Sequence, residues 1–574
     1  MRNLRLWKCA IQKWLIIAGS SIVTLCNINL STTAQSPPAA KVKISPNTAD
    51  AIKQTIFNRS DSTIPLLSAS QPTPAQPLVN AVPKRDRFSI KKVQVLGSTV
   101  LHSEIAALIK PYENREVTFE ELIGLRSAIT QLYIQNGYVT SGAFLPNNQS
   151  LNDGVVQIQV VEGELERIEL SGLKRLQEGY VRKRLEIATK SPINRQRLEK
   201  ALQLLQLDPL LEEVNAELTV GNAPGRSILT VKLKEAPAFH AGIAIENRQS
   251  PSIGSVQTNL FVVHDNFSGR GDRLAATYGI TSGLDTYDIN YTIPLNARNT
   301  TLLLRYSNSD SRIVESAFRN LNIRGDTQTV SFGIRHPLVR SPENELALGL
   351  ALDLRRSQTY LLKDIPFSFS AGAENGKSKV TVIRFSQDWV KRKPRQVIAA
   401  RSQFSLGINA FDATINNSGT DGRFFSWLGQ LQLVQELSKK NVLLIRIDTQ
   451  LTPDSLLTPE QFSIGGMDTV RGYRQNQIVA DNGILGSVEV RFPLTSNPEV
   501  LQVAPFFDIG KVWNNQNSAP DITTIASLGL GVRWLIQRAL SLRLDYGIPL
   551  TKIENQGNSL QDNGLYFSLR SQPF

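Results

Sequence analysis

Only two cysteines occur in 574 residues, Cys9 and Cys26, and both fall near the N-terminus. That stretch reads as a secretory signal peptide over residues 1–34. A basic region runs to Lys13, an apolar run extends from Trp14 to Leu25, and small residues at Thr32 and Ala34 place cleavage after Ala34. The run is too short and too Ser-rich for a spanning helix, and Leu25 is bulky where a lipoprotein Cys26 would need a small neighbour. The exported chain then holds no cysteine, which excludes a disulfide framework and a thiolate site. Histidine is also scarce. His102, His240, His264 and His336 are scattered, so no metal or zinc site is expected. Gly529-Leu530-Gly531 lacks a third glycine, and no P-loop or Gly-x-Ser-x-Gly elbow appears. The reading is therefore no cofactor, no catalytic residues and no enzyme, with a triad of distant residues as the alternative that motifs cannot address. Runs of basic residues are missing too. The formal net charge is +13, with Arg2, Arg5, Lys8 and Lys13 inside the signal peptide. The rest is spread out, which argues against nucleic acid and suits anionic headgroups or an acidic polypeptide.

Residues 35–87 are poor in core-forming side chains. Asn47–Phe57 fits a short amphipathic helix, and Pro65, Pro72, Pro74, Pro77 and Pro83 make the remainder an extended linker. A tethered helix that docks elsewhere and a disordered N-terminus are both compatible with this pattern.

From Phe88 the texture changes. Phe88–Gly97 alternates as a strand. Thr118-Phe119-Glu120-Glu121 is a capping box, opening a helix with Phe119, Leu122, Ile123, Ile129, Leu132 and Tyr133 on one side. Gly137 ends it, and strands follow at Tyr138–Phe144 and Val155–Val161. With a weaker helix at His102–Ile109 the order is β-α-α-β-β. The order repeats over residues 163–236: a strand at Leu165–Leu170, helices at Gln177–Ile187 and Asn194–Gln206, and strands at Leu211–Val220 and Ser227–Lys234. Two tandem α+β domains, 88–162 and 163–236, are expected.

The remainder, 237–574, has almost no helical periodicity. Tyr287, Ile289, Tyr291 and Ile293 alternate with polar residues, as do Val488, Val490 and Phe492 with Glu489 and Arg491. Leu540, Leu542, Leu544, Tyr546 and Ile548 alternate with Ser541, Arg543, Asp545 and Gly547. No amphipathic helix is left to cover the apolar face. Lipid covers such a face, and a closed barrel satisfies every backbone group. At about 9–11 residues per spanning strand plus connections, about sixteen antiparallel strands are expected. A barrel of that size encloses a channel. A β-sandwich array is the soluble alternative, but inward charges such as Arg446, Asp448, Glu489 and Arg491 would spoil a dry core.

One polar, Gly-rich stretch, around 465–476, stands out between these strands. Gly472 can adopt φ > 0 and so present Arg471 and Tyr473 on either side of a tip. Downstream lies Phe506-Phe507-Asp508-Ile509-Gly510, an apolar strand carrying one acid.

Several of these segments resemble a known family. Pro111-Tyr112-Glu113-Asn114-Arg115, Gln131–Ser141, Asp153-Gly154 and Val160–Gly163 are similar to the first POTRA domain of two-partner secretion transporters. Val470-Arg471-Gly472-Tyr473 resembles the loop motif of the outer-membrane transporters that combine POTRA domains with a barrel. Phe506, Asp508 and Gly510 match their F-x-D-x-G strand motif, and Asn266–Asp272 resembles an early barrel turn. The resemblance implies two tandem POTRA domains in the periplasm and an outer-membrane β-barrel whose loop folds into the lumen, with Arg471 meeting Asp508. In a wet lumen such a pair is worth about 1–3 kcal/mol, and exchanging the two charges should restore some function. The implied function is export of an unfolded partner, a large β-helical exoprotein, by a monomer surrounded by outer-membrane lipid. Without a nucleotide site, folding outside the cell would drive the passage. The alternatives are an outer-membrane barrel assembly and insertion factor, and a plain diffusion porin, which needs no POTRA domains. A terminal Phe574 suits recognition by the barrel-assembly machinery, although Leu565, Phe567 and Leu569 are out of phase with it and Pro573 interrupts the end.

Overall fold

The computed structural model describes residues 43–44, 87–147, 149, 153–438, 440–516, 522–553 and 557–573. The signal peptide, the helix at 47–57, nearly all of the Pro-rich linker and Phe574 lie outside the described residues.

The first unit is built on the helix Phe119–Gln135. Its capping box is complete: the Glu121 N–H donates to Thr118 Oγ1 (3.3 Å) and the Thr118 N–H to Glu121 Oε2 (2.7 Å). The buried stripe is Leu122, Leu125, Ile129 and Tyr133. Phe119 and Ile123, expected on that side, are exposed, because the i, i+3, i+7 and i+11 spacing that starts at Leu122 turns them outward. The helix packs on a three-stranded sheet in which Val155–Val161 lies between Lys92–Leu96 and Gly142–Phe144. Tyr138–Ser141 is not strand, as expected, but turn: the Tyr138 N–H donates to Tyr133 O (2.9 Å) and the Ser141 N–H to Tyr138 O (3.0 Å). The single strand expected at Phe88–Gly97 divides at Lys91: Lys92–Leu96 joins this sheet, whereas Arg87–Ile90 pairs with Arg115–Thr118, a strand that was not legible from the alternation.

The second unit has helices Glu178–Ala188 and Arg195–Gln206 over strands Glu164–Ser171, Arg226–Glu235 and Leu211–Val220. Asn194 caps the second helix by accepting from the Gln196 and Arg197 N–H groups. Val181, Leu185, Leu198, Leu202, Leu229 and Val231 form the core. Lys43–Ile44 pair in parallel with Glu217 and Leu218, extending the sheet at the Leu211–Val220 edge.

Among the described residues, sixteen long antiparallel strands then close into a barrel. In order they are Phe239–Glu246, Gln257–Asp265, Arg273–Ile280, Leu284–Pro294, Thr301–Arg312, Arg324–Arg340, Asn344–Leu361, Lys377–Lys393, Gln396–Gly407, Phe424–Glu436, Val442–Leu451, Asn482–Pro493, Leu501–Trp513, Thr524–Gln537, Leu540–Pro549 and Leu565–Ser571. They are numbered 1 to 16 below. Each pairs with its chain neighbour, and strand 1 closes on strand 16 from Ile243↔Ser571 to Glu246↔Ser568. That short seam is extended by Asn247, whose Oδ1 accepts from the Phe567 N–H (2.7 Å) and whose Nδ2 donates to Leu565 O (2.9 Å). Tyr287, Ile289, Phe507, Ile509, Leu528, Leu530, Tyr546 and Ile548 are exposed on the outer face. Asp448, Glu489, Arg491, Asp508, Arg533 and Asp545 alternate with them and are buried on the inner one.

The turn that follows strand 2 joins the barrel to the second unit. Asp272 fixes it by accepting from the Ser268 N–H (2.8 Å) and the Tyr291 hydroxyl (2.6 Å). Gly269 O accepts from the Gln177 N–H (2.8 Å), and Arg184 donates to Asn299 Oδ1 (2.5 Å) while stacking on Tyr180. Burial beside Asp208 pushes the Tyr180 phenol above its ordinary pKa, so it stays a neutral donor to that carboxylate (2.7 Å). Gly271 has φ +81°, and a Cβ there would lie 2.3 Å from the Tyr180 ring. Gly271→Val is therefore expected to push the helix Glu178–Ala188 off the turn. Hydrogen exchange in that helix should rise about tenfold, consistent with the loss of roughly 1–3 kcal/mol of packing.

Candidate functional site: the loop folded into the lumen

Residues 452–481 link the outer ends of strands 11 and 12. Instead of projecting outward, this segment turns into the barrel. Phe462–Ile464 pairs with Ile478–Ala480, and Ile464, Val470, Tyr473 and Ile478 pack against Leu485, Val512 and Ile525 of the wall. Gly472, at φ +94°, lies backbone against backbone on strand 15, where a Cβ would meet Gly547 O at 3.1 Å. Its N–H donates to the Tyr566 hydroxyl (2.9 Å). The Tyr473 hydroxyl donates to Ala526 O (2.7 Å) and accepts from the Thr551 N–H (3.0 Å).

Arg471 reaches the middle of strand 13. Its Nε and Nη2 donate to the two oxygens of Asp508 at 2.8 and 2.9 Å, a forked pair, and its own N–H adds a third bond to that carboxylate at 3.2 Å. The remaining Nη1 donates to Glu489 (2.8 Å) and, more weakly, to Asp545 (3.4 Å). The guanidinium also lies over the Phe506 ring, 3.3 Å from its centroid. Phe506, Asp508 and Gly510 are thus the inward phase of strand 13, each meeting the loop, while Phe507 and Ile509 face outward. Gly510 leaves room for Ile464 and Val470, whose methyl carbons would lie 3.0 and 3.1 Å from a Cβ placed there.

A wider network surrounds this fork. Glu489 also binds Arg491 (2.6 Å) and Arg533 (3.0 Å), Asp545 binds Arg533 (2.7 Å) and Arg543 (2.6 Å), and the Ser487 hydroxyl donates to Asp508 (2.6 Å). Arg471 is 4 % exposed and Asp508 0 %, so the pair sits at the buried limit rather than in the wet setting assumed from sequence. Breaking such a pair costs about 3–5 kcal/mol, because one charge is left buried and unpaired. The geometry also revises the charge-exchange expectation. Asp at 471 would face Glu489 and Asp545, so the Arg471→Asp, Asp508→Arg double variant should secrete no better than either single one. Secretion assays of the three variants side by side check this.

Glu489, Arg491, Arg533, Arg543 and Asp545 lay on the inward alternation and were visible as charges, but nothing in the spacing tied them to Arg471. Tyr566 gave no signal at all. Among the described residues, no group of acidic, His or Cys side chains has metal-site geometry, and no helix is long and apolar enough to cross a membrane.

A closed barrel that carries POTRA-like units at its start and a clamped loop in its lumen defines a class, the outer-membrane transporters built from POTRA domains and a barrel. Within that class, the chain belongs to the haemolysin secretion/activation protein family (ShlB/FhaC/HecB), which matches residues 225–534, more than half of its length. A ShlB-type POTRA domain matches residues 88–163. The outer membrane transporter CdiB of Escherichia coli is 27% identical, over 75% of this chain and 73% of its own. The heme/hemopexin transporter protein HuxB of Haemophilus influenzae is 22% identical, over 83% and 86%. The solved structure of CdiB from Escherichia coli superposes with a TM-score of 0.66 at 23% identity, covering 91% of this chain and 95% of that one. BamA from Haemophilus ducreyi, lacking POTRA domains 1–3, shares the fold at a TM-score of 0.51 and 15% identity, over 84% of this chain and 100% of that one. The fold alone therefore does not fix the function. The family and its named transporters do: this chain is an outer-membrane transporter of two-partner secretion, with its POTRA domains in the periplasm.

Proposed function

We propose that the chain takes up an unfolded, β-helical partner polypeptide at its POTRA domains and passes it through the barrel lumen to the outside. The observation that carries this reading is a sixteen-strand barrel whose lumen is occupied by a loop held through discrete ion pairs, preceded in the chain by two domains that offer sheet edges. Lys43–Ile44 already add to the edge strand Leu211–Val220, so that edge accepts an added strand. Backbone pairing of this kind makes modest demands on sequence. Val470, Arg471, Gly472 and Tyr473 hold the loop, and Phe506, Asp508 and Gly510 form the seat beneath it. The chain acts as a conduit and not as an enzyme, and folding outside the cell supplies the drive. Among the described residues every wall strand of the closed barrel is paired on both sides, which supports a monomer surrounded by outer-membrane lipid. Co-expression with a large secreted β-helical polypeptide encoded beside it tests the proposal. The partner should reach the medium only when this chain is made, and its arrival without the chain overturns the reading.

A further inference from the structure

The lumen loop is fastened at more than one place. Around Arg471, Asp468 also pairs with Arg248 and Arg543, and Arg474 pairs with Asp562 (2.5 Å) and with Glu315 in the connection between strands 5 and 6 (3.0 Å). Apart from this group, the loop carries Glu460, at the end of a short turn, Thr458–Glu460. Both Glu460 oxygens accept from Arg384 Nη2 at 2.9 Å, and Oε1 lies 3.3 Å from Arg355 Nη1. Arg355 also donates to the Pro459 carbonyl. Arg384 is held in turn by Asp353 (2.6 Å) and Ser405 (2.8 Å). Just before the turn, Leu456 and Leu457 are buried against Val380, Val382 and Phe424.

These partners are on a different part of the wall. Arg355 and Asp353 belong to strand 7 and Arg384 to strand 8, six and five strands away from Asp508 on strand 13 in a sixteen-strand circuit. Half the circuit is eight strands, so the loop crosses the lumen from one anchor to the other. The two anchors share no residue. They also differ in character. The Arg471 end gathers three carboxylates and a ring around one guanidinium and is buried. At the other end a single loop carboxylate does the holding: Glu460 is 6 % exposed, and its partners Arg384 and Arg355 are 15 % and 27 % exposed.

We propose that Glu460 is the releasing latch of a strut clamped across the pore, and that Arg471 is the hinge that stays seated when the latch opens. The inference rests on the pore reading above. Removing the Glu460 charge leaves Arg384 paired with Asp353, so the wall keeps its own ion pair and the barrel its fold. The latch sets how often the pore opens, not how wide it is.

The test uses the full chain in planar lipid bilayers together with the secretion assay. Glu460→Gln should raise the frequency of open bursts about tenfold at unchanged single-channel conductance, with secretion retained. Arg355→Gln, a change on the wall and not the loop, should act in the same direction if Glu460→Gln fails to fold, with heat-modifiable migration reporting the folded barrel. Folded variants that open no more often than wild type overturn the latch, as does a Glu460→Gln variant that stops secreting. In those cases, currents and secretion from the wild type leave the pore reading standing. Absence of current from every form, with the partner secreted regardless, defeats the pore reading itself and the latch with it.

Discussion

Arg471→Ala is expected to leave a folded barrel and to cut partner secretion to less than about one-tenth of wild type, in keeping with a loss of roughly 3–5 kcal/mol at a buried ion pair. The fold survives because the neighbours stay paired. Glu489 keeps Arg491 and Arg533, and Asp545 keeps Arg533 and Arg543. Only Asp508 loses its main partner, retaining the Ser487 hydroxyl and the backbone N–H of residue 471. The loop, by contrast, loses the fork on Asp508, the Glu489 contact and the stacking on Phe506 in one step. Arg471→Lys should rescue little. An ammonium has no planar fork to span both Asp508 oxygens while reaching Glu489 with a third nitrogen. Immunoblots of partner in medium and cells, with heat-modifiable migration as the folding control, read both outcomes.

Gly510→Leu is the second large effect, and it touches no charge. Ile464 and Val470 occupy the space a Cβ would need, and the rest of a leucine side chain would drive the Val470 end of the loop off strand 13. Overpacking of this kind costs about 1–3 kcal/mol, and here it falls on the residue next to Arg471. Secretion should drop about tenfold or more, and proteolysis between 462 and 480 should become faster in the folded protein. A variant with normal secretion and a protected loop would show that the loop need not sit on strand 13.

The architecture was legible because each part of it has a periodicity. Strict alternation from Ala238 onward exposed an apolar face that nothing in the chain could cover, and chain length then set the strand number. The capping box at Thr118 located a helix start, but the apolar residues around it misjudged the buried face, since Phe119 and Ile123 are apolar without being inward. The strand at Arg115–Thr118 escaped because four residues carry too little alternation to be seen. At the site, Arg471 and Asp508 came from motif resemblance, not from spacing. Their isolation was overestimated: the inward charges on strands 12, 14 and 15 were each visible, yet only closure of the wall brings them round one guanidinium. Glu460 was silent for the same reason. Its partners precede it by 76 and 105 residues, and no local pattern links them.

The most direct test of the central claim, passage through the lumen, is site-specific photo-crosslinking to a partner stalled in transit by a stably folded C-terminal domain. Strand 9 offers adjacent positions on opposite faces of the wall. Gln403 lies on the inner face with Arg401, which donates to it at 3.0 Å, and Phe404 lies exposed on the outer one. A crosslinker at 403 should capture the stalled partner while one at 404 captures none. Capture from 404, or from neither position while the partner still reaches the medium, would contradict passage through the lumen.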